Sequence, residues 1–127
     1  MRFAHTMIRV KDIDESVRFY TEILGMTLDR QLELPGADAT LAFVKDPASG
    51  MEVELTFNHD GRDYELGDAF GHLAFYVASV DETFAALKAK GVPFSLEPKT
   101  MKSGTRIMFA VDPTGYKIEF IERPEAL

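Results

Sequence analysis

The chain has 127 residues, no cysteine and a formal net charge of −7. That length suits one domain with a sizeable core. The lack of cysteine excludes disulfides and thiolate metal ligands, so any metal must be held by nitrogen and oxygen donors, and the acidic balance excludes a general nucleic-acid surface.

Phe3–Val10 reads as a strand. Asp12 and Glu15 form a D-x-x-E helix start, after which Ile13, Val17, Tyr20 and Leu24 recur at helical spacing and predict a core-facing stripe that ends at Gly25. Thr27–Leu32, Thr40–Lys45 and Glu52–Asn58 follow as strands, with a hairpin turn at Asp46–Gly50. Asp60–Phe70, polar with two glycines, reads as a linker. The second half repeats the plan. Ser79 and Glu82 form an S-x-x-E start, Val80, Phe84 and Leu87 make an inner face, and the helix ends at Gly91. Phe94–Leu96, Thr105–Val111 and Tyr116–Glu122 are its strands, with a turn at Asp112–Gly115. Each half is therefore βαβββ. The expected fold class is α+β: a single domain over 1–127 whose two copies, about 1–59 and 71–123, form curved mixed sheets each backed by one helix.

The repeat holds residue by residue. At an offset of 67 positions His5 meets His72, Val10 meets Val77, and Asp14-Glu15 meets Asp81-Glu82. DPASGMEVEL (Asp46 to Leu55) then matches DPTGYKIEF (Asp112 to Phe120) with one deletion, which brings Glu54 onto Glu119. The period is half the chain, so this is a duplicated module and not a solenoid. Two histidines and two glutamates at matched points suit a pseudo-symmetric cage for one metal ion: His5, Glu54, His72 and Glu119. Taken singly, each has a plainer reading as an edge histidine or a solvent-facing strand glutamate.

Strand alternation extends the site. His5, Met7 and Arg9 share one face, as do Glu52, Glu54, Thr56 and Asn58. Four residues along a strand span roughly 13 Å, about the reach of an extended tripeptide. His59 has no counterpart in the second copy and reads as solvated. Met101 and Met108 suit either a pocket wall or the core. Lys102 and Arg106 suit either an anion contact or solvated charge.

HTMIRVKDIDESVRFYTEILGM, VELTFN, GHLAFYV and DPTGYKIEFIE resemble the signature blocks of glyoxalase I (lactoylglutathione lyase), in the vicinal oxygen chelate superfamily, over Met1 to Glu122. The resemblance implies the duplicated βαβββ fold and an octahedral divalent metal held by His5, Glu54, His72 and Glu119 with two waters. It also implies a homodimer in which each site takes one His–Glu pair from each subunit. Glutathione recognition falls to Arg9 and Asn58. A basic residue that some members carry before the second histidine is replaced by Asp68-Ala69-Phe70-Gly71, with Lys102 as a substitute.

By the same resemblance, the substrate is the hemithioacetal of methylglyoxal and glutathione, the product is S-lactoylglutathione, and Glu119 is the proton-transfer base with Glu54 as its counterpart. The short chain is similar to the bacterial subgroup that works best with nickel or cobalt, so nickel is expected ahead of zinc. The opening MRFAHTMIRV has no leader-like apolar run and no segment reaches membrane-spanning length, so a cytoplasmic protein without membrane partners is expected. Other readings of the fold are an acyl-CoA epimerase, a dioxygenase or thiol transferase with three protein ligands, and a metal-free drug-binding module. Glu54 and the full quartet weigh against them.

Overall fold

A computed structural model describes all 127 residues, which form two compact α+β units, Met1–Glu65 and Leu66–Leu127. The first contains β1 (Thr6–Arg9), α1 (Ile13–Arg18), a π-helical turn (Phe19–Ile23), β2 (Thr27–Leu34), β3 (Ala39–Lys45) and β4 (Glu52–Asn58). The second contains β5 (His72–Val77), α2 (Val80–Ala89), β6 (Phe94–Thr100), β7 (Arg106–Val111) and β8 (Lys117–Glu122). Strand orders are β1-β4-β3-β2 and β5-β8-β7-β6. In each sheet the first strand pairs parallel with the last, and the remaining pairs are antiparallel. The boundary at Glu65/Leu66 lies inside the segment read as a linker.

Both helices start where the sequence places a cap. The Asp12 carboxylate accepts from the Glu15 N–H at 2.9 Å, and the Ser79 hydroxyl accepts from the Glu82 N–H at 3.2 Å. These contacts satisfy donors that the first helical turn cannot pair internally. At α2 the Glu122 carboxylate also accepts from the Val80 N–H at 2.9 Å, tying the helix to β8. Ser79→Ala is expected to cost about 1 kcal/mol, read as a lower urea midpoint at unchanged slope.

The first helix departs from the expected regular stripe. The Leu24 N–H donates to the Phe19 carbonyl at 3.0 Å, a five-residue step that widens the last turn. The extra residue lets two neighbours, Phe19 and Tyr20, both enter the core, at 7% and 0% exposure. Val17 and Leu24 are left only half-buried. Gly25 then turns the chain at φ +78°, a conformation that L side chains rarely adopt.

One face of each sheet is buried: Ile8, Val44, Val53 and Leu55 in the first unit; Met108, Ala110, Ile118 and Phe120 in the second. Met108 is therefore core, while Met101 is exposed. Several strand limits differ from expectation. β1 begins at Thr6, so His5 stands just before it. β6 runs on to Thr100 through Pro98, which an edge strand tolerates because no central ladder bond is lost, and the register shifts between Leu96 and Lys99.

Candidate active site: two matched histidine–glutamate pairs

The parallel pairing of first and last strands sets each histidine beside its glutamate. Met7 is in register with Glu54, and His5 Nε2 lies 3.4 Å from Glu54 Oε2. Ala74 is in register with Glu119, and His72 Nε2 lies 2.9 Å from Glu119 Oε2. The offset is the same in both units. Each glutamate sits on the second strand of its sheet and is mostly buried, with 15% and 16% of its side chain exposed, against 35% and 40% for the histidines. These carboxylates have given up much of their water and face an imidazole in exchange.

A third residue in each unit escaped the sequence reading. Phe43 is in register with Glu54, and Phe109 with Glu119. The Phe43 ring meets His5 edge-on at 5.4 Å and 85°; Phe109 meets His72 at 5.1 Å and 74°. Such contacts hold the imidazole plane in place. The signal was present as the repeated F-x-x-D-P of Phe43-Asp46-Pro47 and Phe109-Asp112-Pro113. The aspartates of that block secure the turns leading into β4 and β8. One Asp112 oxygen accepts from the N–H groups of Thr114, Gly115 and Tyr116 at 2.9, 2.9 and 2.8 Å. Asp46 accepts from Ser49, whose hydroxyl lowers the Asp46 carboxyl below the usual range.

The pairs fit a shared cation. Two donors each bound at about 2.1 Å, a right angle apart, must themselves be about 3 Å apart; the observed separations are 2.9 and 3.4 Å. Neutral imidazole and carboxylate are the donors that borderline divalent ions accept. Neither unit brings a third histidine or acidic ligand to its pair. Each pair thus offers two donors.

Along the same face of β4, Thr56 is in register with Arg9, and Asn58 lies beyond it. Asn58 is held by Tyr64, whose hydroxyl donates to Asn58 Oδ1 at 3.0 Å. This leaves the side-chain N–H₂ as donor to a ligand. The Thr56 hydroxyl is buried and has no hydrogen-bond partner. Lys102 is exposed in the turn between β6 and β7. Arg106 is committed elsewhere. It makes a two-pronged contact with Asp81 on α2 at 2.7 and 2.8 Å and a third bond to Thr100, and Asp81 is held below the usual carboxylate range by those hydrogen bonds. His59, read as solvated, keeps a third of its side chain exposed yet engages both ring nitrogens, with Thr40 at 2.8 Å and Asp38 at 3.0 Å. It anchors the β2–β3 hairpin.

No helix is long and apolar enough to cross a membrane. The family model described as the Glyoxalase/Bleomycin resistance protein/Dioxygenase superfamily matches residues 2–120. The lactoylglutathione lyase of Haemophilus influenzae is 46% identical over 125 residues, covering 96% of this chain and 93% of that one. A probable lactoylglutathione lyase of Vibrio parahaemolyticus is 44% identical over 98% of this chain and 93% of its own. Among solved structures, the trypanothione-dependent glyoxalase I of Leishmania major superposes with a TM-score of 0.83 at 38% identity, covering 99% of this chain and 88% of that one. Glyoxalase I of Zea mays gives 0.86 at 38% identity over 96% of this chain, which spans only 44% of the maize protein.

Proposed function

The chain belongs to the glyoxalase/bleomycin resistance protein/dioxygenase superfamily, and we propose that it carries out the lactoylglutathione lyase reaction of its close relatives with His5, Glu54, His72 and Glu119 at the reacting centre. It is an enzyme of the lyase class. Its substrate is the hemithioacetal that methylglyoxal and glutathione form spontaneously, and its product is S-lactoylglutathione. The observation that carries this reading is the pair of histidine–glutamate contacts at 3.4 and 2.9 Å, set at the same offset in two copies of one module.

The reaction moves one proton between adjacent carbons. The carbon bearing sulfur loses its hydrogen, electrons pass into the neighbouring carbonyl as an enediolate, and the proton returns on the second carbon while the hydroxyl proton passes from the first oxygen to the second, leaving the thioester carbonyl. His5, Glu54, His72 and Glu119 would hold a divalent cation, which when bound would stabilise the oxygen on which charge builds. Glu119, 2.9 Å from His72, takes the proton from the first carbon and returns it to the second. Glu54 is its counterpart from the other repeat. His5 and His72 would each offer a ring nitrogen to that ion, their planes held by Phe43 and Phe109. Arg9 and Asn58, the latter oriented by Tyr64, contact the glutathione part, with Lys102 at the margin.

The two repeats act as one domain. A homodimer completes the sites, each with one pair from each subunit. In support, Met7, Leu32 and Leu34 stand 40%, 37% and 40% exposed on the same sheet face as His5 and Glu54. Nickel is the favoured ion, with cobalt and zinc as alternatives, and the protein works in the cytoplasm.

The test is to strip the metal, follow thioester absorbance with methylglyoxal and glutathione, and add back nickel, cobalt or zinc. Activity is expected to vanish on stripping and to return most fully with nickel or cobalt. No turnover with any of the three ions would end the lyase reading.

A further inference from the structure

The two half-sites are built alike, and one place where they differ in charge suggests how the substrate is held. Beside His5, Glu52 stands two residues before Glu54, and Arg30 answers it. The Arg30 guanidinium lies 3.8 Å above the Phe43 ring and 3.6 Å from the Glu52 carboxylate. In the second unit every one of these positions has a counterpart. Phe109 replaces Phe43, Lys117 replaces Glu52, and Leu96, in register with Phe109 as Arg30 is with Phe43, replaces Arg30. The charge of the strand residue is inverted, and its partner is gone. Where Arg30 lies over the ring in the first unit, the second has a cavity of 630 Å³ lined by Phe109, Leu96, His72 and Lys117. Lys117 is exposed, is in register with His72, and makes no ion pair. An anion entering the cavity would take the place that the first unit fills from within its own chain.

The geometry points to Lys117 as the residue that binds a carboxylate of the peptide thiol, next to His72. This rests on the lyase reading and adds to it a recognition residue that stands apart from Lys102. The cavity also contains one carboxylate, Asp68, which opposes an anion and sets the sign of a second effect. Glutathione offers two carboxylates, one at its glycyl end and one at its γ-glutamyl end. Both have the same chemistry for a lysine, a charge-assisted hydrogen bond in a partly enclosed site.

The experiment is calorimetric binding of S-methylglutathione, a non-reacting analogue, to the metal-loaded full chain, alongside steady-state kinetics. Lys117→Met is expected to weaken binding about three- to tenfold and to raise KM in proportion, with kcat within about twofold, an effect that shrinks with added salt. Asp68→Asn is expected to tighten binding about twofold. The glycyl methyl ester and the γ-glutamyl α-amide of the analogue identify the end. The one that binds unsubstituted protein weakly, and is then indifferent to Lys117→Met, has lost the carboxylate in question. No binding of the analogue by the unsubstituted protein, Lys117→Met binding within twofold of it, or both derivatives as sensitive to Lys117→Met as the parent would each overturn the assignment. Turnover by the unsubstituted protein tests the lyase reading separately.

Discussion

Glu119→Gln is expected to lower kcat by about 10²- to 10⁴-fold, the range over which a positioned general base acts, while the fold stays intact. The amide keeps the shape of the carboxylate and an oxygen that can still face His72 and a cation, but it cannot accept a proton. Three measurements separate loss of chemistry from loss of structure: kcat by thioester absorbance, bound metal by elemental analysis, and Tm. Metal content near that of the unsubstituted protein, Tm within a few degrees and collapsed kcat are the expected combination. Full activity in Glu119→Gln would make the base assignment wrong. Glu54→Gln serves as the internal comparison and is expected to lose less. A larger loss at Glu54 would move the base to the first repeat, because the two carboxylates are equivalent in burial, 15% and 16% exposed, and differ only in what surrounds them.

What surrounds them is also where the sequence was least legible. The quartet could be read because its spacing repeats, and the strand alternation that put Arg9 and Asn58 on the face of Glu54 needs only a period of two. Phe43 and Phe109 were invisible for a physical reason. An aromatic residue in an apolar strand is normally core, and only the cross-strand register with Glu54 and Glu119 makes it a prop for a histidine. Arg106 could be read only as an anion contact or solvated charge, because its committed partner, Asp81, is 25 residues away on a helix, a distance that no local pattern spans. The π-helical turn is likewise unreadable from helical spacing. Its cause is tertiary, the burial of Phe19 and Tyr20 together. Lys117 reads in sequence as one charge in a strand, and only the pairing of its counterpart, Glu52, with Arg30 sets it apart.

A mixture of two inactive chains is expected to regain activity. His5→Ala/Glu54→Ala lacks the first pair and His72→Ala/Glu119→Ala lacks the second, so each alone should turn over nothing. Each pair offers two donors, and no third converges on either within its unit. In the proposed homodimer every site takes one pair from each subunit. Co-expressed in equal amounts, the two chains form heterodimers as about half of all dimers, and in each of these one site has lost all four ligands while the other keeps all four. Activity should then rise from background to about a quarter of that of the unsubstituted protein, with metal bound in the same proportion. If both pairs of a site came from a single chain, every site in the mixture would lack one pair, and no mixing ratio would restore turnover. The rescue therefore reads out which chain donates which half, independently of the identity of the ion. Its absence, in a mixture shown to contain heterodimers, would rule out shared sites while leaving the quartet itself standing.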